Sequence, residues 1–171
     1  MVEALAPFGV DALLPQLPVT VDSPLDDRLA LTAGIEEAIS TVFDAIGQAT
    51  PIAEGVTTTT VTIPGGDGQD LTLYVSRPDT AASLPCVVHL HGGGMAILSA
   101  ADTVYMRGRE CLAATGLVVV GVEFRNSGGK LGVHPYPAGL NDCAAAVRWV
   151  FANREQLGIT HLIVSGESGG G

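Results

Sequence analysis

The chain has 171 residues, 47% of them apolar and 15% charged, and a formal net charge of −10 from 8 basic and 18 acidic side chains. The apolar content excludes a disordered chain, and no apolar run reaches the ~18–20 residues that span a bilayer. The acidic balance argues against nucleic acid or an anionic membrane surface as a partner.

Residues 1–14 carry Glu3 and Asp11 but no Lys or Arg. They lack the basic start of a secretory leader, so a cytoplasmic protein is expected. Cys86, Cys111 and Cys143 form no CxxC pair and sit in apolar segments. Buried free thiols in a reducing compartment are therefore expected. No Cys/His spacing suits a metal.

Residues 1–50 read as helical pieces between Pro-containing turns, a segment distinct from 51–171. Within it, 29–46 places Leu31, Ile35, Ala38, Ile39, Val42, Phe43 and Ile46 at helical spacing, which predicts an amphipathic helix ended near Pro51. Residues 56–63 are β-branched and stop at Pro64-Gly65-Gly66, and 71–75 alternate and stop before Pro78. Together they predict an antiparallel hairpin. The run 85–91 reads as a strand buried on both faces. A helix over 103–115, a buried strand over 117–122, a helix over 141–156 with Val147, Val150 and Phe151 on its apolar side, and a third buried strand over 162–164 follow. Strand, helix, strand, helix, strand is the alternation of a parallel sheet with helices against it. The long Gly/Pro-rich connection 124–139 is a candidate functional loop.

Two Gly-rich turns fall at the C-terminal ends of predicted strands, where open α/β sheets place ligands. The first is His91-Gly92-Gly93-Gly94. Successive glycines bare their backbone N–H groups and permit φ > 0, so such a loop can aim donors at an oxyanion or a phosphate. The second, Gly166-Glu167-Ser168-Gly169-Gly170, fits G-x-S-x-G. A nucleophile on a sharp strand-to-helix turn needs small residues two before and two after it, and Gly166 and Gly170 meet that need. No P-loop and no G-x-G-x-x-G is present, which argues against a nucleotide-binding module.

With the segment His134-Pro135-Tyr136-Pro137-Ala138-Gly139-Leu140-Asn141-Asp142, these two turns resemble the hormone-sensitive-lipase-like branch of the α/β-hydrolases, from about Val56 to the last residue. The resemblance implies an incomplete α/β-hydrolase fold: a mostly parallel sheet with an N-terminal antiparallel hairpin and a helical cap over 1–50. It implies a serine carboxylesterase forming an acyl-enzyme at Ser168. Gly93, Gly94 and Gly169 would supply oxyanion N–H donors, Gly92 would shape their loop, and His91 would support it. Gly166, Glu167 and Gly170 would form the nucleophile elbow. A small-molecule ester substrate, no cofactor and no metal are implied, as is a homodimer of the full-length protein. Glu167 and Gly169 stand where many members carry Asp and Ala, and 124–130 departs from the commoner pattern. In that family the triad acid and base follow the serine, yet here only Gly169, Gly170 and Gly171 do. The expectation is a chain truncated after the elbow and inactive alone, with an exposed apolar last strand. His89, His91, His134 and His161 all precede Ser168. His89 and His161 read as structural, and His134 as a residue that lines the site. The alternative is a non-catalytic relative that binds a small molecule or a partner.

Overall fold

A computed structural model describes residues 19–80 and 82–171. The part of the 1–50 segment before residue 19 therefore lies outside the described residues. Two compact units divide between Leu31 and Thr32, and Thr32–Gly171 holds the sheet.

Helix α1 spans Leu25–Ala49, longer at both ends than its apolar stripe predicts. Strands β1 (Val56–Pro64) and β2 (Asp70–Pro78) form the expected antiparallel hairpin, with Val61 opposite Leu73. Its turn closes through Gly65 N–H to Gln69 O at 2.6 Å, with Gly68 at φ +85°. Leu71, Leu73 and Val75 alternate inward along β2. Strand β3 (Leu84–Leu90), helix α2 (Thr103–Ala114), strand β4 (Val118–Val122), helix α3 (Ala138–Ala152) and strand β5 (Ile159–Gly166) follow in the predicted alternation. The sheet order is β1-β2-β4-β3-β5. β4 and β5 flank β3 in parallel, and β2 joins antiparallel to β4.

The core lies on both faces of β4. Val118, Val120 and Val122 pack in one cluster with Cys143, Ala146 and Val150 of α3. Gly121 points the other way, and a Cβ there would come within 2.5 Å of the Arg109 side chain of α2. Burial of each such valine contributes about 1.5–3 kcal/mol.

The expectation of three strands buried on both faces holds for β4 alone, whose five residues are all buried. β3 alternates buried Cys86, Val88 and Leu90 with less covered neighbours. Among the described residues β5 is an edge strand paired only to β3, and Ile163 and Val164 are 59% and 48% exposed because no described element covers them. Two further side chains depart from expectation. Phe151 is exposed beneath the Arg154 guanidinium, since α3 buries the row Asp142, Cys143, Ala146 and Val150. Cys111 is only half-buried, on the outer part of α2. Among the described residues no helix is long and apolar enough to cross a membrane.

α1 buries only part of the stripe its apolar pattern marks, rotated toward Glu36 and Gly47. Ile35, Val42 and Ile46 are exposed, while Glu36 and Gly47 are buried and Ile39 and Phe43 pack against Ile97, Leu98 and Tyr105. Gly47 explains the rotation. A Cβ there would sit 2.7 Å from Val104 N, so the missing side chain lets the helix lie directly on the start of α2.

Candidate active site

The two Gly-rich turns are separated in sequence by two strands and two helices, yet they abut in space. β3 and β5 are parallel neighbours, and the last register pair is Leu90 with Gly166. Glu167 N–H donates to Leu90 O at 3.0 Å, which carries the pairing one residue beyond the sheet. Both turns thus leave the same end of the sheet side by side, at the strand C-termini as expected.

Ser168 has φ +50°. For a residue with a Cβ this left-handed conformation costs about 1–3 kcal/mol and is held only by its surroundings. Here the surroundings are backbone. Gly170 N–H donates to Glu167 O at 2.9 Å and Gly171 N–H to Ser168 O at 3.0 Å, forming a 3₁₀ turn over Ser168–Gly170. The two flanking glycines are sterically required. A Cβ on Gly166 would overlap Gly170 O, and one on Gly170 would overlap Leu90 O and lie 2.6 Å from His91 O. Ser168 is exposed at the tip of this turn.

Gly93 and Gly94 have φ +104° and +65°. A Cβ on Gly169 would sit 2.5 Å from Gly94 N, so the two turns touch backbone to backbone. Among the described residues, no hydrogen bond occupies the N–H groups of Gly93, Gly94 or Gly169. Gly93 O instead accepts from Ala96 and Ile97, which fixes the loop's return. Gly94 and Gly169 share one wall of a cavity of about 370 Å³ that Met95, His134, Tyr136 and Leu140 help to line. His134 thus lines this cavity, as expected. A larger cavity of about 590 Å³ lies near the N-terminal ends of β3 and β5, lined by Arg77 and Gly158 among others, away from both turns.

His91 is fully buried and stacked on Phe124, with ring centroids 4.2 Å apart and planes at 8°. Its Nδ1 donates to Gly92 O at 2.7 Å. Burial pushes its pKa down, so the ring stays neutral. His89 lies one pleat before it. Burial, then the nearby Arg109 charge, lower its pKa to about 4. The half-exposed Glu167 carboxylate reaches only to 4.0 Å from it. His161 lies within β5.

The motifs assign no role to four polar groups around the turns, although Asp142 closes the 134–142 segment. Asp142 is fully buried at the start of α3 and accepts from Arg125 Nε (2.8 Å), Arg125 N (3.1 Å) and Gln69 Nε2 (2.6 Å). Burial alone would raise its pKa, but these bonds outweigh that and hold it below the usual carboxylate value. Arg125 also reaches Asp67 at 2.7 Å, so one guanidinium joins the β1–β2 turn to α3. Glu123, just past β4, accepts from Ser99 Oγ and Ala100 N. Glu36 of α1 accepts from Leu98 N. The signals of these anchors in the sequence are acidic residues beside apolar stripes and, for Asp142, its place at the end of the 134–142 segment. Among the described residues no group of His, Cys, Asp or Glu is arranged to hold a metal ion.

The family model described as BD-FAE matches residues 71–171. Carboxylesterase NlhH of Mycobacterium tuberculosis is 38% identical over 111 residues, 63% of this chain and 33% of that protein. Among solved structures, brefeldin A esterase, described as a bacterial homologue of human hormone-sensitive lipase, aligns with a TM-score of 0.86 at 45% identity, covering 99% of this chain and 48% of that one. Esterase Est22 aligns with a TM-score of 0.76 at 31% identity, covering 94% and 51%. The chain therefore spans about half the length of these solved structures and about a third of the curated relative.

Proposed function

Given that the chain belongs to the hormone-sensitive-lipase-like branch of the α/β-hydrolases, we propose that it carries the nucleophile and oxyanion loop of a serine carboxylesterase acting on small-molecule esters. The observation that carries the proposal is Ser168 at φ +50° on a turn whose backbone touches the Gly92–Gly94 loop.

In the proposed reaction the Ser168 hydroxyl oxygen attacks the ester carbonyl carbon and its proton passes to a general base. The carbonyl oxygen becomes an oxyanion facing the N–H groups of Gly94 and Gly169, with Gly93 beside them. Expulsion of the alcohol leaves an acyl-Ser168, which water then hydrolyses to the acid. The donors act on charge that exists only in the transition state, and each is worth ~10²–10³ in kcat. His91, neutral and bonded to Gly92 O, holds the loop and takes no part in proton transfer. The elbow of Gly166, Glu167 and Gly170 holds the serine. In this family the acid and the base follow the serine, and the solved relatives are about twice as long as this chain, so the proposal places the base and its acid outside residues 1–171. Residues 1–171 alone are proposed to be inactive, because an unassisted serine hydroxyl is a weak nucleophile. α1 is proposed to belong to a cap over the site.

The test is a fluorophosphonate probe on the intact gene product, with hydrolysis of short p-nitrophenyl esters alongside. Labelling and turnover that both vanish in Ser168→Ala support the assignment. Equal labelling of the wild type and the variant, or no turnover, refutes it.

A further inference from the structure

Glu36 is a carboxylate buried on a helix otherwise read as a cover. Only 6% of it is exposed. One oxygen accepts from Leu98 N at 2.7 Å and the other from Lys130 N at 2.7 Å. Gly129, at φ +66°, has its missing side chain aimed at the same carboxylate, and a Cβ there would lie 2.6 Å from Oε2. The site is thus built to seat a carboxylate: two inward N–H donors and one glycine that makes room. Burying a charge is costly unless it is hydrogen-bonded, and bonds to an ionised acceptor are roughly twice as strong as neutral ones.

The two loops it joins are the ones that flank the candidate oxyanion donors. Leu98 sits at φ +72° in the loop that begins with Gly93, and Met95 at φ +54°. Neither is a glycine, so the loop stores strain that its neighbours must hold. Ser127 N–H donates to Met95 O at 2.9 Å, Gly128 N–H to Ala96 O at 3.1 Å and Asn126 Nδ2 to Leu98 O at 2.6 Å. Ile97 N–H, one peptide from the Glu36 contact, donates to Gly93 O. A short path of backbone bonds therefore leads from the helix carboxylate to the peptide units of Gly93 and Gly94.

We infer that Glu36 is a positioning residue: its carboxylate braces the strained 93–98 loop against the 126–130 loop and so sets the direction of the Gly93 and Gly94 N–H groups. α1 is then part of the catalytic framework rather than only a wall of the pocket. The inference rests on the serine-hydrolase proposal for its catalytic consequence, while the brace itself is read separately below.

The experiment uses the intact gene product with Glu36→Gln and Glu36→Ala. Glutamine keeps the shape but sets an NH₂ group against a backbone N–H. Turnover of p-nitrophenyl acetate is normalised to active sites titrated with a fluorophosphonate, so loss of folded enzyme does not register as loss of rate. The expected result is kcat lower by ~10–100-fold in Glu36→Gln, the scale of a misplacement remote from the chemistry. KM stays near its wild-type value, and affinity for an aryl trifluoromethyl ketone, which binds as an oxyanion, falls by the same factor as kcat. A merely structural role would lower the melting temperature without this split. Normalised kcat equal to wild type in Glu36→Gln overturns the inference, whether or not Glu36→Ala folds. Amide hydrogen exchange at Leu98 and Lys130 reads the brace without catalysis. Slow exchange in wild type that becomes fast in Glu36→Gln supports it, and equal exchange overturns it. A wild-type protein that shows the exchange difference but no ester turnover would sink the hydrolase proposal alone.

Discussion

Replacing Gly170 by alanine adds one methyl group where the second Gly-rich turn packs on the end of β3 and the start of the first turn. The new Cβ would lie 2.6 Å from His91 O and nearer still to Leu90 O, against a comfortable carbon contact of about 3.5 Å. Both obstacles are main chain, so no rotamer change relieves them, and the turn must move away from the end of β3 by roughly 1 Å. Leu90 O is also the acceptor for Glu167 N–H, and that bond is lost when the turn moves. Overpacking costs about 1–3 kcal/mol and a lost backbone hydrogen bond about 1 kcal/mol, giving a destabilisation of about 2–4 kcal/mol. The same movement withdraws Ser168 from the Gly93–Gly94 peptides, and a displacement near 1 Å is worth ~100-fold in rate. Urea denaturation of the intact gene product measures the first effect, and kcat on p-nitrophenyl acetate the second. Gly108→Ala is the control: it sits within α2 with nothing within 4 Å of its added Cβ, and should stabilise by about 0.5–1 kcal/mol. A Gly170→Ala protein with wild-type midpoint and turnover would refute the close-packed elbow.

Asp142→Ala should cost about 1–3 kcal/mol, because Gln69 Nε2 and Arg125 N lose their acceptor while the Arg125 guanidinium keeps Asp67; thermal or urea unfolding measures this. The Asp142 pKa is lowered in the folded protein. Its stabilisation is therefore fully present above the unfolded value of about 3.9 and is lost as pH falls through the lower folded value. Asp142→Asn should flatten the acid limb of stability against pH below about 4. His89, lowered to about 4, works in the same sense over a higher window. Unfolding lets it take up a proton below its unfolded value of about 6.5, so stability declines from there down to pH about 4, by as much as about 1.4 kcal/mol per pH unit. His89→Gln should remove that slope, and a slope unchanged by the substitution would show that His89 is not its source. Burial pushes the thiols of Cys86 and Cys143 up to about 12. Iodoacetamide at pH 8 should therefore modify Cys111 in the native protein and spare the other two, which peptide mapping will show.

The sequence by itself determined the order of elements and the steric pattern of the two turns, because both are local. Gly166 and Gly170 stand two residues either side of Ser168 for a steric reason that acts within one turn. The β-branched hairpin and the valine-rich β4 state their conformation in their own composition. What only the tertiary structure decided depends on contacts between distant segments. Parallel pairing of β3 with β5 sets Gly169 against Gly94, and no local pattern says which two parallel strands will be neighbours. The buried face of α1 shares Ile39 and Phe43 with its apolar stripe but is rotated from it, because the helix docks through a glycine and a carboxylate, Gly47 and Glu36, whose value lies in the backbone N–H groups and close approach on the other side. The partners of Asp142 and Glu123 are hidden from the sequence for the same reason. A buried acid is explained by its donors, and those donors lie on other loops that only the fold brings to it.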